Sequence, residues 1–597
     1  MKLSDNALQI AQSRYFMEGE DWQSCSERVA NVISMPETNS RSDIRDQFAS
    51  MIYNMDFLPG GRILRNSGRP RGSLFNCYHL PIGDSIEEIG QLYKDALILW
   101  SEGGGVGINF TPLRPKNDPI FGKGGRSSGL VSFMKGANYI SELIESGGSR
   151  RAAAIGHIDV SHPELMDFID AKLLKPDVRK WLKDDTPEEI IQLVKEKIEK
   201  GDLNHFNISV VVNHDFLEKV ESDQEWAFKF KQKSYGKVRA RDIWNKIVEN
   251  MVQCGEPGLL NWSNFAKNNS YYFEPVTGTN PCGETTLGPY GVCDLGSLVL
   301  PNFITGNINT NWKKLESVIR LAVRFLDNVI EVNKYVLQDI DINAHKSRRI
   351  GIGVIGLAEY LFAKKARYGS EKAVAETERL MQFIRNTAYK ASVELAIEKG
   401  AFPQFDQIHY GKASFIRKLP ASLRMDIKKF GVRNCTLMAL APTGTISLLT
   451  NYSSAIEPLF AKAAKRMDRI SERIYIHPKY EEMVKKDEEI PDWFVDAFDL
   501  EPKDHFEMQV ACQRFCDASV SKTINLPEET TTKDLNNLLL EYIYDLKGVT
   551  VYRDGSRHGQ ILKKIPEEEA KKIIKENGDV DSDMSESDVS CKGSCEI

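Results

Sequence analysis

Asn280-Pro281-Cys282-Gly283-Glu284 places an amide, a thiol and a carboxylate at every second position. In an extended backbone successive side chains point to opposite faces, so Asn280, Cys282 and Glu284 would project to one side and could meet one small substrate. Pro281 and Gly283 suit neither a helix interior nor a regular central strand, which predicts a shaped loop carrying three polar groups. In isolation such a spacing is more readily a surface loop with a buried thiol. The remainder of the chain has to decide between the two.

The chain has 597 residues, 27% of them charged and 41% hydrophobic, and a net charge of -6. That length holds one big domain with smaller additions, or two to four ordinary ones. The charge balance gives no reason to expect nucleic acid. Met1 to Arg14 lacks the apolar core of a signal peptide. No run reaches the roughly 18 apolar residues of a membrane helix, so a cytoplasmic protein with no membrane contact is expected. In a reducing compartment its ten cysteines are expected to be thiols, catalytic or metal-bound groups, not structural disulfides. None of their spacings is a paired C-x-x-C, so no metal site is expected.

Outward from the central stretch, residues 1–57 are rich in helix formers and predict a small helical entry domain. Leu58-Pro59-Gly60-Gly61-Arg62 is the first strong turn, and Leu74 to Leu80 reads as a strand with Cys77 in its middle. Taken alone, Cys77 is a small apolar core residue. Asp84 or Ser85 caps a helix running to about Ser101, whose start can receive an anion or a ribose hydroxyl. Gly103 to Phe110 is a glycine cluster entering a strand, explained equally by tight turning and by close backbone approach. The loop from Pro112 to Ser128 carries Arg114, Lys116, Lys123 and Arg126, a solvated loop or a phosphate clamp. Gly147 to Ala154, with Arg150, is a second glycine-arginine loop. Residues 172–204 form a charged insertion in which Thr186-Pro187-Glu188-Glu189 predicts a peripheral amphipathic helix, and Phe206 to Val212 predicts a buried strand.

Gly351-Ile352-Gly353-Val354-Ile355-Gly356 matches a dinucleotide-binding pattern, but Asn343 to Arg349 before it is no apolar strand, so the required context fails. Asn434 to Ala441 reads as a strand opening onto Pro442-Thr443-Gly444-Thr445-Ile446-Ser447, a small-residue loop suited to a diphosphate. Cys512 and Cys516 are read as thiols on one face of a helix beginning near Phe506. Asn577 to Ser590 has five acids and no base and ends in Cys591-Lys592-Gly593-Ser594-Cys595. Two cysteines on a solvated tether make a redox carrier, and its 14 residues span roughly 20 Å as a coil and at most about 50 Å extended.

Taken together, Asn280-Cys282-Glu284, Cys77, Cys293, the loop 443–447 and the tail pair resemble a ribonucleotide reductase catalytic chain, from about Leu58 to Ile597. The resemblance implies an α/β fold: a ten-stranded α/β barrel of two antiparallel five-stranded half-barrels with a central finger loop, plus the small N-terminal helical domain. It divides the chain into 1–57, a barrel domain 58–560 with the insertion 172–204, and a flexible redox tail 561–597. It makes Cys282 the thiyl radical that takes the 3′ hydrogen of a ribonucleotide substrate, Glu284 the base on the 3′ hydroxyl and Asn280 its holder. Cys77 and Cys293 become the reductants, and Cys591 and Cys595 re-reduce them, recharged by a thioredoxin- or glutaredoxin-type donor. Asn76, Gly283 and Pro442, Thr443, Gly444, Thr445, Ile446 and Ser447 would bind substrate. Asp84, Ser85, Ile86, Arg114, Lys116 and Arg150 would bind a deoxynucleotide effector. Phe121 departs from the arginine that relatives often carry before Gly122. The short N-terminus implies no added ATP-binding domain and no dATP shut-off, and the expected state is a homodimer or monomer.

Metal-dependent relatives carry adjacent tyrosines near the C-terminus, whereas Lys547 to Arg557 has one, Tyr552. That segment and Asp517 to Pro527 are similar to the adenosylcobalamin-dependent members, which need no radical-generating subunit. The simple tail pair, in contrast, is of the metal-dependent type. A metal-dependent large subunit and a nucleotide-binding thiol relay without radical chemistry are the alternatives.

Overall fold

The N-terminal stretch folds as three helices, α1 (Asp5–Arg14), α2 (Trp22–Ile33) and α3 (Arg41–Tyr53). Ser4 caps the first by accepting from the Ala7 amide, and Asp21 with Ser24 forms a capping box on the second. Val29, Ile33, Phe48 and Ile52 are fully buried between these helices and the body of the protein. The computed structural model describes residues 3–122, 124–146, 150–151, 153–173, 187, 203, 206–306, 308–467, 472–554 and 562–576. The expected helix after Thr186 and the tail cysteines lie outside the described residues.

The strands that position the site are β1 (Phe57–Pro59), β2 (Cys77–Leu80), β3 (Gly105–Asn109), β4 (Ala154–Asp159), β5 (Phe206–Val212), β6 (Gly258–Asn261), β7 (Gly278–Thr279), β8 (Thr286–Leu287), β9 (Val292–Val299), β10 (Ile350–Ile355), β11 (Thr523–Leu526) and β12 (Gly548–Arg553). β2 through β6 run parallel, each beside the next. β9 pairs antiparallel with β2 and parallel with β10, while β12 pairs antiparallel with β6 and parallel with β11. β1 pairs antiparallel with β9 on the same edge as β2, farther along the strand. These strands belong to one ten-stranded mixed sheet that excludes only the short pair β7 and β8. Isolated parallel bridges from Ile352 to Met438 and from Leu440 to Val520 continue the pairing beyond β10 toward the segment that enters β11.

Strands such as β9 and β10 are buried at every position, as parallel strands covered on both faces must be, and their Val, Ile and Leu content follows. The covering helices include α4 (Ile86–Ser101) on β3, α5 (Ala240–Cys254) on β12 and α6 (Trp312–Val332) on β9 and β10. α7 (Glu371–Lys399) packs on α6, and α8 (Pro502–Gln513) packs on α7 and β11. Among the described residues, no helix is long and apolar enough to cross a membrane.

Several expectations need local correction. The strand foreseen from Leu74 begins only at Cys77, because the Leu74 amide donates to Asn333 Oδ1 and the Phe75 amide to Ser73 Oγ instead of to a ladder. The segment Asn434 to Ala441 pairs only through isolated bridges, since the Leu437 and Met438 amides are taken by the Asp517 carboxylate at 2.9 and 2.8 Å. Cys516 lies past the end of α8, its thiol turned to the Met438 carbonyl at 3.0 Å. The Gly351 pattern is itself strand β10, and its glycines serve packing: a Cβ at Gly351 would stand 2.7 Å from Ala439 Cβ.

Candidate active site

The central stretch is the tip of a hairpin in which β7 pairs with β8, Gly278 opposite Leu287 and Thr279 opposite Thr286. Its backbone is turned, not extended: the Gly283 amide donates to the Asn280 carbonyl at 3.1 Å, closing a four-residue turn. Pro281 presets the second position of such a turn, and Gly283 at φ +74° occupies the left-handed region that glycine tolerates. Cys282 therefore stands at the apex, and the alternation that an extended chain would impose does not operate. Asn280, Pro281, Glu284 and Thr285 are buried, while Cys282 and Gly283 stay partly exposed. Both border a cleft walled by Ser209, Gly258, Leu260, Pro442, Gly548 and Thr550 among others.

Glu284 is fully buried, and burial pushes its carboxyl up to about 7, against a smaller lowering effect of the Asn280 side chain. Neither carboxylate oxygen, nor Asn280 Nδ2, is engaged in a well-formed hydrogen bond among the described residues. Asn280 Oδ1 accepts from the Thr285 amide at 3.0 Å, and the Glu284 carbonyl accepts from the Ser519 amide at 2.8 Å. The Glu284 carboxylate oxygens and Asn280 Nδ2 are thus left unspent, the state of groups awaiting a ligand.

Cys77 and Cys293 are Cα partners across the antiparallel β2–β9 pair, which sets directly opposed residues about 4.5–5.5 Å apart. That separation lies within the range a disulfide requires. Both are buried, and neither borders the cleft at Cys282. Burial pushes the Cys293 thiol far up, and the nearby Glu284 carboxylate adds to the shift, which ties the tip of the hairpin to this pair.

Two family descriptions match the chain: Ribonucleotide reductase, all-alpha domain, over residues 1–72, and Ribonucleotide reductase, barrel domain, over residues 75–552. The chain belongs to the ribonucleotide reductase family. It is similar to the Vitamin B12-dependent ribonucleoside-diphosphate reductase of Thermoplasma acidophilum, 34% identical over 87% of this chain and 66% of the relative. It is 33% identical to the protein of the same description from Mycobacterium tuberculosis, over 94% of this chain and 81% of the relative. Ribonucleoside-diphosphate reductase subunit alpha of Chlamydia muridarum is 27% identical over 85% of this chain and 54% of the relative.

The other positions that membership in the reductase family brings forward are dispersed. Asn76 precedes β2, its Oδ1 accepting from the Arg62 amide at 3.3 Å. Of the loop 442–447 only Pro442 borders the cleft. Thr443, at φ +56°, accepts the Ala455 amide on its hydroxyl at 2.8 Å, and Ser447 enters a single 3₁₀ turn. Ser85 caps α4 with Ile86 exposed beside it, and Asp84 Oδ1 accepts from both the Arg114 amide and guanidinium at 2.9 and 3.0 Å. The Lys116 amide donates to Glu164 at 3.0 Å. Arg150 pairs through its backbone with Ser146.

Sequence reading missed several buried groups around the hairpin and the cleft. Lys522, which borders the cleft, is buried in an ion pair with Glu457. Lys547 is fully buried, and burial lowers its ammonium to about 8 while it donates to the carbonyls of Asn268, Asp517 and Ala518. His79, two residues beyond Cys77 on one strand face, and His157 on β4 both touch the hairpin. A period-two reading of β2 would have found the first; nothing local in the sequence marks the second.

Proposed function

We propose that the chain reduces ribonucleotides to 2′-deoxyribonucleotides by radical chemistry at Cys282, with adenosylcobalamin as its cofactor. It is an oxidoreductase of the ribonucleotide reductase family, and its relatives of higher identity are described as vitamin B12-dependent. The observation that carries the reading is the Cys77–Cys293 cross-strand pair next to a hairpin that raises Cys282 into the cleft.

Reduction removes the 2′ hydroxyl as water and takes two electrons and two protons from two thiols. Cys282 takes the 3′ hydrogen and returns it at the end, so it is not consumed. Glu284, poised near neutrality by burial, accepts the 3′ hydroxyl proton, and Asn280 orients that hydroxyl. Cys77 and Cys293 each surrender a hydrogen and join as a disulfide; Cys591 and Cys595 reduce that bond by exchange, become a disulfide themselves, and are recharged by a thioredoxin- or glutaredoxin-type donor. Pro442 and the loop to Ser447, with Asn76 and Gly283, hold the substrate. Asp84, Ser85, Ile86, Arg114, Lys116 and Arg150 receive a deoxynucleotide effector.

The residues of the cleft fit the cofactor. Gly258 lets its wall pack closely between β5 and β12, since a Cβ there would stand 2.8 Å from Ser209 Oγ and 3.2 Å from the Val549 carbonyl. Ser209, Thr523, Asn525 and Thr550 supply donors and acceptors for an amide-rimmed macrocycle. When bound, the cofactor supplies the one-electron chemistry that converts a thiol to a thiyl radical. Leu260 and Gly283 shape the approach to the Cys282 thiol.

We read the sheet as a closed barrel of ten strands in two antiparallel sets of five. One set is β2 to β6; the other is β9, β10, the segment 436–441, β11 and β12, joined by the two isolated bridges. The domain limits follow as 1–57, 58–560 and 561–597, and the protein works in the cytoplasm as a homodimer or monomer. The test is anaerobic turnover of each ribonucleotide by the full chain with adenosylcobalamin and a dithiol and no other protein. Deoxynucleotide formation supports the reading; activity only after adding a metal-containing partner subunit transfers the chain to the metal-dependent class.

A further inference from the structure

Three neighbouring strands of the sheet converge on the hairpin that carries Cys282. From β2, His79 sets Nδ1 2.9 Å from the Gly107 carbonyl and Nε2 2.9 Å from Thr277 Oγ1. From β3, Asn109 Nδ2 donates to the Thr277 carbonyl at 3.0 Å, and Gly107 lies under Thr279 so closely that a Cβ would fall 1.8 Å from its carbonyl oxygen. From β4, His157 sets Nε2 3.0 Å from Thr279 Oγ1. Both histidines are buried, and burial lowers their rings to about 4 and about 3, so they are neutral at working pH.

The partners fix the protons. A carbonyl can only accept, so His79 carries its hydrogen on Nδ1 and accepts from the Thr277 hydroxyl on Nε2. Thr279 Oγ1 donates its one hydrogen to the Asn280 carbonyl at 2.9 Å, so it accepts from His157 and the hydrogen there is on Nε2. The bare His157 Nδ1 then has no hydrogen to place, in keeping with its lack of a partner among the described residues. The Asn280 carbonyl thereby receives two hydrogens, from Thr279 and from the Gly283 amide that closes the turn at Cys282.

We propose that His157 and His79 are positioning residues for the radical thiol: His157, through the Thr279 hydroxyl, locks the turn that holds Cys282, and His79 fixes the base of the same hairpin. The relay runs His157 Nε2–H to Thr279 Oγ1–H to the Asn280 carbonyl, with no charge in it. This assignment to the reaction rests on the proposed function; the hairpin lock itself does not. A misplacement of about 1 Å at a reacting group costs on the order of a hundredfold in rate.

The test compares the full chain with His157→Met and His157→Gln. Methionine fills the volume without a donor, whereas glutamine carries an N–H at a similar reach. In His157→Met, kcat for ribonucleotide reduction is expected to fall about 10–100-fold with KM within about threefold. Amide exchange across residues 277–287, read by peptide mass spectrometry, should accelerate about tenfold. His157→Gln should return both readouts to within about threefold of the parent. Equal behaviour of the two variants overturns the donor role, and parental kcat and exchange in His157→Met overturn the lock. Should His157→Met lose its overall fold, Thr279→Val against Thr279→Ser carries the same expectations. Should the parent reduce no ribonucleotide, the function falls while the exchange arm still decides the lock.

Discussion

Cys77 and Cys293 face each other as register partners on antiparallel strands, with Gly105 of β3 on the other side of Cys77 and the Cβ-less Gly351 of β10 beside the Cys293 sulfur. A pair so placed can close a disulfide without moving its strands. In a chain whose tail is blocked by Cys591→Ser and Cys595→Ser, one equivalent of ribonucleotide without dithiol should remove two thiols. Peptide mapping should place the new bond between Cys77 and Cys293. Cys77→Ser or Cys293→Ser should abolish dithiol-driven turnover, measured as deoxynucleotide formed.

The raised pKa of Glu284 sets a pH profile. As a base it must be ionised, so kcat should rise through a midpoint of about 7 and level off above it. Glu284→Gln should lower kcat about 10²–10⁴-fold at pH 8, with substrate binding much less affected.

The same group also governs stability. Its folded pKa, about 7, lies above its unfolded value of 4.5, so the folded state holds the proton more tightly. Stability is full below the unfolded pKa and declines as pH rises through the folded one. The loss approaches about 3 kcal/mol by pH 8, at about 1.4 kcal/mol per pKa unit. Glu284→Gln should therefore be more stable than the parent at pH 8 and equal to it at pH 4, read from urea midpoints at the two pH values.

Much of this was legible because the residues involved act locally. Pro281 and Gly283 announce a turn wherever they sit, Ser85 announces a helix start, and the β-branched run from Phe206 to Val212 is a strand with the limits its pattern predicts. The direction in which Cys282 points was not legible, since alternation was assumed where a turn rules. Nor was the segment 434–441: its apolar pattern fits a strand, but a carboxylate about eighty residues away captures its amides. The pairing of Cys77 with Cys293 is a matter of register between distant strands, which no spacing encodes; the family resemblance supplied it.

The glycine of β10 that mimics a dinucleotide motif offers a separate check. A Cβ at Gly351 would stand 2.6 Å from Leu295 Cδ2, 2.7 Å from Ala439 Cβ and 3.3 Å from the Cys293 sulfur. Overpacking of this kind costs about 1–3 kcal/mol. Gly351→Ala should lower the urea midpoint accordingly and slow formation of the Cys77–Cys293 disulfide.

Asp517 anchors the segment 437–438 that lies beside β10. Its buried carboxylate accepts from Met438 and Ala518 amides on one oxygen, and from the Leu437 amide, Tyr389 hydroxyl and Ser270 hydroxyl on the other. Two residues on, the Ser519 amide holds the Glu284 carbonyl, and Lys547 holds the Asp517 carbonyl at 2.7 Å. In Asp517→Asn either orientation of the amide turns an NH₂ toward at least one backbone N–H that cannot accept, leaving it buried and unmatched. That should destabilise the protein by about 3–5 kcal/mol, measured by urea unfolding. Because the strain lands where Glu284 is anchored, kcat should fall about tenfold or more under conditions in which the variant is still folded, with KM changed less. Ser270→Ala removes only one donor and leaves the carboxylate well served, so it should cost about 1 kcal/mol and leave kcat near the parent value.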